Sequence, residues 1–169
     1  MVSKKSQIWY ADLLIGIVIF SVALVIYFKT DLNLYQGNGK IYQDLMMEAK
    51  IITNSLISPG YPFNWTPGTV TRLGFVDNAR VNYTKLNYLM GMNYNHTKSL
   101  LRTKYDYYFY FEQYGRPALI NGSDGYGYPG VNRTNLDTLL NPKYVLKLTR
   151  IVILNHNPAR MQFLIWKKD

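Results

Sequence analysis

The chain has no cysteine, two histidines and only ten acidic residues among 169. Without thiols it can form neither a disulfide nor a thiolate metal site, so a folded domain must rest on burial and hydrogen bonding alone. His96 and His156 are too few for a three-histidine zinc centre, and His156 falls in the turn composition Asn155-His156-Asn157-Pro158. The carboxylates are sparse and show no acid and base dyad spacing, and no Gly-x-Ser-x-Gly elbow occurs. Asn121, Ser123 and Asp124 offer oxygens but lack the repeated acidic spacing of a calcium loop, so they read as a turn. These absences give no ground for an enzyme, and no cofactor or metal is expected.

Positive charge is not scarce. Nineteen Lys and Arg against ten Asp and Glu leave a net charge of +9. That excess suits anionic lipid, nucleic acid or an acidic polymer, but no basic run exceeds two residues, so a solvated surface explains it as well. Sixteen tyrosines raise the question of base or sugar stacking, with Tyr108 and Tyr110 beside Lys104 as the candidate platform. Aromatic residues favour strands without any ligand, which makes nucleic acid the less favoured partner.

One long apolar run is present. Leu13 to Phe28 carry no charge, and Ile8 to Ala11 extend the run across Asp12. A helix from Ile8 to Phe28 would reach about 30 Å, the thickness of a bilayer core. Lys4 and Lys5 on the short flank place the N-terminus in the cytoplasm and the remainder outside. No small-residue cleavage pattern follows the run, as a removed secretory signal requires. Three segments are therefore expected: a basic leader over 1–6, a transmembrane helix over 7–30, and an extracellular domain over 31–169. Asp12 is costly near hydrocarbon unless it sits at the interface or meets a positive partner.

Beyond the membrane segment, Gly37-Asn38-Gly39 interrupts the helical pattern. Ile41, Leu45, Ala49, Ile52 and Leu56 then form one apolar stripe, predicting a second helix or a kinked continuation that Ser58-Pro59-Gly60 stops. Thr69 to Phe75 reads as a strand, and Asn82 caps a short helix over Tyr83 to Met90. A further helix is expected over Asn95 to Arg102. Tyr105 to Glu112 alternates with period two, predicting a strand with one buried and one wetter face and a turn at Gln113 to Arg116. Gly125-Tyr126-Gly127-Tyr128-Pro129-Gly130 matches a dinucleotide fingerprint by letter, but no helix follows, so it reads as a mobile surface loop. Lys147 to Leu154 and Arg160 to Trp166 predict a C-terminal hairpin. The expected fold is α+β, a long N-terminal transmembrane helix followed by a helix packed on an antiparallel meander.

The leader Lys4-Lys5-Ser6-Gln7-Ile8, with an acidic residue near the start of the apolar run, resembles the class III signal peptide of archaeal type IV pilin-like proteins. The resemblance covers about the first thirty residues. It implies that a membrane peptidase cuts between Ser6 and Gln7, and that Asp12 is the acidic assembly residue, although it would be the sixth residue after the cut where the family usually has the fifth. Ser58-Pro59-Gly60-Tyr61-Pro62-Phe63-Asn64-Trp65, followed by Arg72-Leu73-Gly74-Phe75, is similar to exported archaeal pilin-like proteins. The partners implied are the membrane, copies of itself or other pilin-like subunits, and the leader peptidase.

Five N-x-S/T acceptors, at Asn64, Asn82, Asn95, Asn121 and Asn132, are roughly three times the number chance predicts, and all follow the membrane segment. N-glycans are expected on them, with Asn64 the poorest acceptor because Trp65 is bulky and Pro67 follows Thr66. Two functions follow from these readings. The preferred one is a structural subunit of a pilus-like surface filament or its assembly machinery. The other is a monomeric membrane-anchored module that binds an envelope polymer or another anionic ligand outside the cell.

Overall fold

The computed structural model describes the backbone of residues 4–135, 142 and 144–167, and the side chains of 12–29, 39–135, 142 and 144–167. It divides into two compact units, Met1–Ile41 and Tyr42–Asp169. The first is helical, formed by the beginning of α1, Lys4–Leu56. Gly37, Asn38 and Gly39 keep helical backbone. A glycine in a helix costs about 1 kcal/mol against alanine, which weakens a helix without forbidding it.

In the second unit the predicted stripe is the packing face. Leu45, Ala49, Ile52 and Leu56 are buried together with Thr53, whose hydroxyl donates back to the Ala49 carbonyl at 2.7 Å. Each buried Leu or Ile contributes about 1.5–3 kcal/mol relative to exposure. The helix ends at Leu56, ahead of Pro59.

The sheet comprises β1 Val76–Asp77, β2 Arg80–Val81, β3 Asp106–Gln113, β4 Arg116–Ala118, β5 Tyr126–Gly127, β6 Tyr144–Leu154 and β7 Asn157–Lys167. Its order is β1-β2-β6-β7-β3-β4, with β5 also on the outer edge of β3. All pairings are antiparallel except β2 with β6, joined in parallel at Arg80 and Ile153, so the sheet is not a simple meander. Three hairpins close through two-residue turns with positive φ at both positions: Asn78-Ala79, Tyr114-Gly115 and Asn155-His156. Such turns match the twist of the strands they join. The C-terminal hairpin has the expected partners and a tighter turn than the four residues predicted, because Asn157 and Pro158 already pair with Leu154 and Ile153.

The helices α2, Tyr83–Gly91, and α3, Tyr94–Leu100, lie within two residues of their predicted bounds. Asn82 caps α2 by accepting from the Lys85 amide, and Asn93 caps α3 by accepting from the Asn95 amide. The architecture is α+β, with an N-terminal apolar helix and an antiparallel-rich sheet.

Three expectations are corrected. Thr69 to Phe75 is not a strand. Tyr61 pairs with Arg72, and the Phe75 and Val76 amides donate to the carbonyls of Leu56 and Ser58 instead of to a sheet neighbour. The closing carbonyls of α1 attract this segment, and the strand starts only at Val76. The face of β3 expected to be wet is covered as well. Tyr108 and Tyr110, 2% and 5% exposed, pack with Val131 and Trp166, so they offer no stacking platform. The glycine-rich run is not a free loop, since Tyr126 and Gly127 form β5 against β3. A Cβ on Gly127 would collide with the Tyr107 carbonyl, which is why glycine stands there.

Gly74 is the tightest point of the α1 joint, because an added Cβ would strike the backbone at Ser58, Gly60 and Ser55. Gly74→Ala is expected to lower the stability of the second unit by about 2–4 kcal/mol through backbone displacement. Chemical denaturation monitored by Trp fluorescence checks this, whereas Gly68→Ala, which meets nothing within 4 Å, should change little.

Candidate functional site

Residues 12–29 of α1 form a helix long and apolar enough to cross a membrane, with none of that stretch buried by the chain itself. One such helix is compatible with a single membrane span or a signal sequence. Asp12 stands exposed at its start. Ser6 and Gln7 lie on helical backbone, and their side chains fall outside the described residues. In the second unit Tyr42, Met46, Met47 and Ile51 are exposed on α1, with Met47 at 67% and Ile51 at 60%.

Two polar clusters are buried inside the second unit. Lys85 is 4% exposed, yet its ammonium is fully engaged: it donates to Asp77 at 2.8 and 3.2 Å and to the Pro59 carbonyl at 3.0 Å. The Phe63 ring lies 4.5 Å from the Lys85 Nζ. Asn82 Nδ2 donates at 2.8 Å to Asp77 Oδ2, the oxygen that also accepts the longer Lys85 bond. Burial pushes the Asp77 carboxyl up, but hydrogen bonds from Lys85 and Asn82 and the Lys85 charge outweigh it and hold the group below its usual value. This cluster ties α2 to β1 and to the turn after α1.

The second cluster joins α3 to β3. Thr97 donates to the Tyr94 carbonyl at 2.8 Å and shares a hydrogen bond with the Tyr107 hydroxyl at 2.7 Å and with that of Tyr126 at 3.1 Å. Tyr94 donates to Asp106 at 2.9 Å, and Lys98 pairs with the same carboxylate oxygen. Burial first, and then the neighbouring carboxylates, push the Tyr94 and Tyr108 hydroxyls well above the usual phenol range. Tyr108 is bonded to Asp124 at 2.9 Å, which places Asp124 in the packing of β3 rather than with Asn121 and Ser123. Among the described residues no three His, Asp or Glu side chains gather as metal ligands do.

The five acceptor asparagines differ in access. Asn64 is exposed beside buried Trp65, whose Nε1 donates to the Gly74 carbonyl at 2.7 Å. Asn121 is exposed and donates to Asn87 at 2.7 Å. Asn132 is half-buried and accepts from the Thr134 amide and hydroxyl and the Asn135 amide. Asn95 is exposed on α3, but its partner Thr97 is fully buried. Asn82 is half-buried with both side-chain atoms committed. Burial of partner hydroxyls and cap amides is tertiary, so the triplets alone do not rank these sites. The Lys85, Asp77 and Asn82 cluster is likewise missed by sequence reasoning, for which the lone lysine inside the α2 apolar face is the available signal.

Sugar on native protein should sit at exposed Asn121 in preference to half-buried Asn82, because a glycan on Asn82 Nδ2 would disturb its bond to Asp77. Glycopeptide mapping checks the order, and full occupancy at Asn82 would contradict it. Asp77 also predicts an acid limb. Its folded value is depressed, so its contribution is present above the unfolded carboxylate range near 4 and is lost as pH falls through the lower folded value. Asp77→Ala should cost about 3 kcal/mol by stranding buried Lys85, should exceed the loss in Lys85→Met, and should flatten the fall in stability below about pH 4. Denaturation midpoints against pH measure both. No protein-family model, curated protein or solved structure matches the chain, so its function is argued from these residues alone.

Proposed function

We propose that the chain is a structural subunit of a type IV pilus-like surface filament, or of the machinery that assembles one. In this reading the apolar helix anchors it in the cell membrane with the N-terminus cytoplasmic and the sheet domain outside, and a leader peptidase cuts between Ser6 and Gln7. The observation that carries it is the apolar surface of α1 beyond residue 29. A simple anchor needs apolar surface only inside the bilayer, whereas a subunit that packs helix on helix needs it to continue. Met47 and Ile51 supply that continuation, since both remain exposed after the opposite stripe is buried. Asp12 supports the same reading, because the amine made by cleavage in a neighbour would offset the cost of a carboxylate at the edge of hydrocarbon.

Asp12→Asn should leave membrane insertion intact and impair incorporation into filaments, while Ser6→Leu should block cleavage. Membrane fractionation with negative-stain imaging of the cell surface reads the first variant, and N-terminal sequencing of native protein reads the second. A mature chain that still begins at or near Met1, with both changes tolerated, would favour the simple anchor.

A further inference from the structure

A cleft of about 480 Å³ opens beside the last two turns of α1. Ile51, Ile52, Leu100 and Leu101 give it an aliphatic surface, and Arg72 and Arg102 stand at its margin. No acidic residue is among the described residues that line it, and neither guanidinium has an ion-pair partner among the described residues. The lining contains no aromatic ring, so it lacks the flat apolar face on which a sugar stacks.

Arg102 is held there at a conformational cost. The Arg102 and Thr103 amides close α3 on the carbonyls of Ser99 and Lys98, the paired bonds that end a helix when the residue after the cap is left-handed. Arg102 takes that position with φ +53°, where glycine is the unstrained choice.

The complementary surface is on the same chain. Asp44 and Glu48 lie four residues apart on α1 next to exposed Met47, and neither carboxylate has an ion-pair partner among the described residues. We propose that the Arg72 and Arg102 cleft of one subunit receives the Asp44, Met47 and Glu48 face of α1 from a second copy. Two carboxylates meet two guanidiniums while Met47 enters the aliphatic surface. Parallel copies displaced along α1 by about 10 Å, the helical rise from Asp44 to Ile51, bring the two into register. Each subunit then keeps one surface of each kind free, so the contact is head-to-tail and propagates. The setting is the filament reading above, but the contact is tested separately from it.

The absence of cysteine makes the experiment clean. Full-length Ser99→Cys and Met47→Cys chains, carrying different tags, are co-expressed in one membrane and treated with a short bis-maleimide. A mixed cross-linked dimer is expected, and Ile151→Cys, on an exposed strand position, in place of Ser99→Cys should give none. Arg72→Glu with Arg102→Glu in the Ser99→Cys chain should cut the yield about tenfold, since like charges then face each other. Asp44→Lys with Glu48→Lys in the Met47→Cys chain should restore it. Arg102→Gly should keep or raise the melting temperature yet lower the yield, which separates the contact from folding. A yield indifferent to these charges, or no mixed dimer while filaments form, would overturn the contact and leave the filament reading standing. Cysteine-bearing chains that cross-link in this pattern, while the native chain never forms filaments, would overturn that reading and leave the contact standing.

Discussion

The closing of α1 is the joint on which the second unit depends. A helix ends with carbonyls that have no partner of their own, and here the chain returns with the Phe75 amide to satisfy that of Leu56. Phe75 and Val76 amides donate to Leu56 and Ser58, Ser55 Oγ donates to the Leu73 carbonyl at 2.7 Å, and Trp65 closes on Gly74. Because these bonds leave no room for a side chain at 74, the return path has one solution. It delivers the Phe75 ring onto Phe109 at 5.7 Å and edge-on to Phe111 at 6.1 Å, which sets helix against sheet. Arg150 adds a second tie from β6, donating to Thr53 at 3.1 Å and to Asn54 at 2.8 Å.

From that joint the remaining elements are held by polar groups brought inside rather than by apolar burial alone. Val76–Asp77 continues directly from the joint, and Asp77 captures Lys85, so α2 is tied by charge within a few residues of where α1 ended. Thr97 does the same for α3 through hydroxyls on β3 and β5. A buried polar group without partners costs several kcal/mol, and with partners fixes one arrangement. In a chain with no disulfide, this supplies the definition that covalent links give small exterior domains elsewhere. Burial first, and then the neighbouring carboxylates, raise the Tyr94 and Tyr108 hydroxyls, while Lys85 and Asn82 lower Asp77 against its burial.

How far the fold was legible follows the range of the forces involved. The α2 cap at Asn82, the Leu45 to Leu56 stripe and the C-terminal hairpin are written in residues close together in sequence; the cap and stripe fall where expected, while both hairpin strands begin three residues before their expected starts. Thr69 to Phe75 failed because its β-like composition competes with the open end of α1, which lies remote in sequence. Tyr108 and Tyr110 misled because alternation is a signal of one covered face, and β3 has two. The glycines at 125 and 127 looked like flexibility but mark close approach to β3. Of the candidate sites, the apolar helix was legible, whereas the buried Lys85 cluster and the Arg72 and Arg102 cleft require the fold to assemble them.

The same reasoning bears on what α1 is built for. An amphipathic helix in a domain of this kind needs one apolar face, and α1 has it in Leu45, Ala49, Ile52 and Leu56. Its opposite side is neither uniformly apolar, as lipid contact would require, nor uniformly charged, as solvent contact would allow. It alternates Asp44, Met47, Glu48, Lys50 and Ile51. A mixed surface of this composition is suited to contact with another protein, where apolar side chains supply affinity and charges select orientation. Arg102, in the turn that closes α3, and Arg72 place the opposite charge in the cleft beside the last turns of α1.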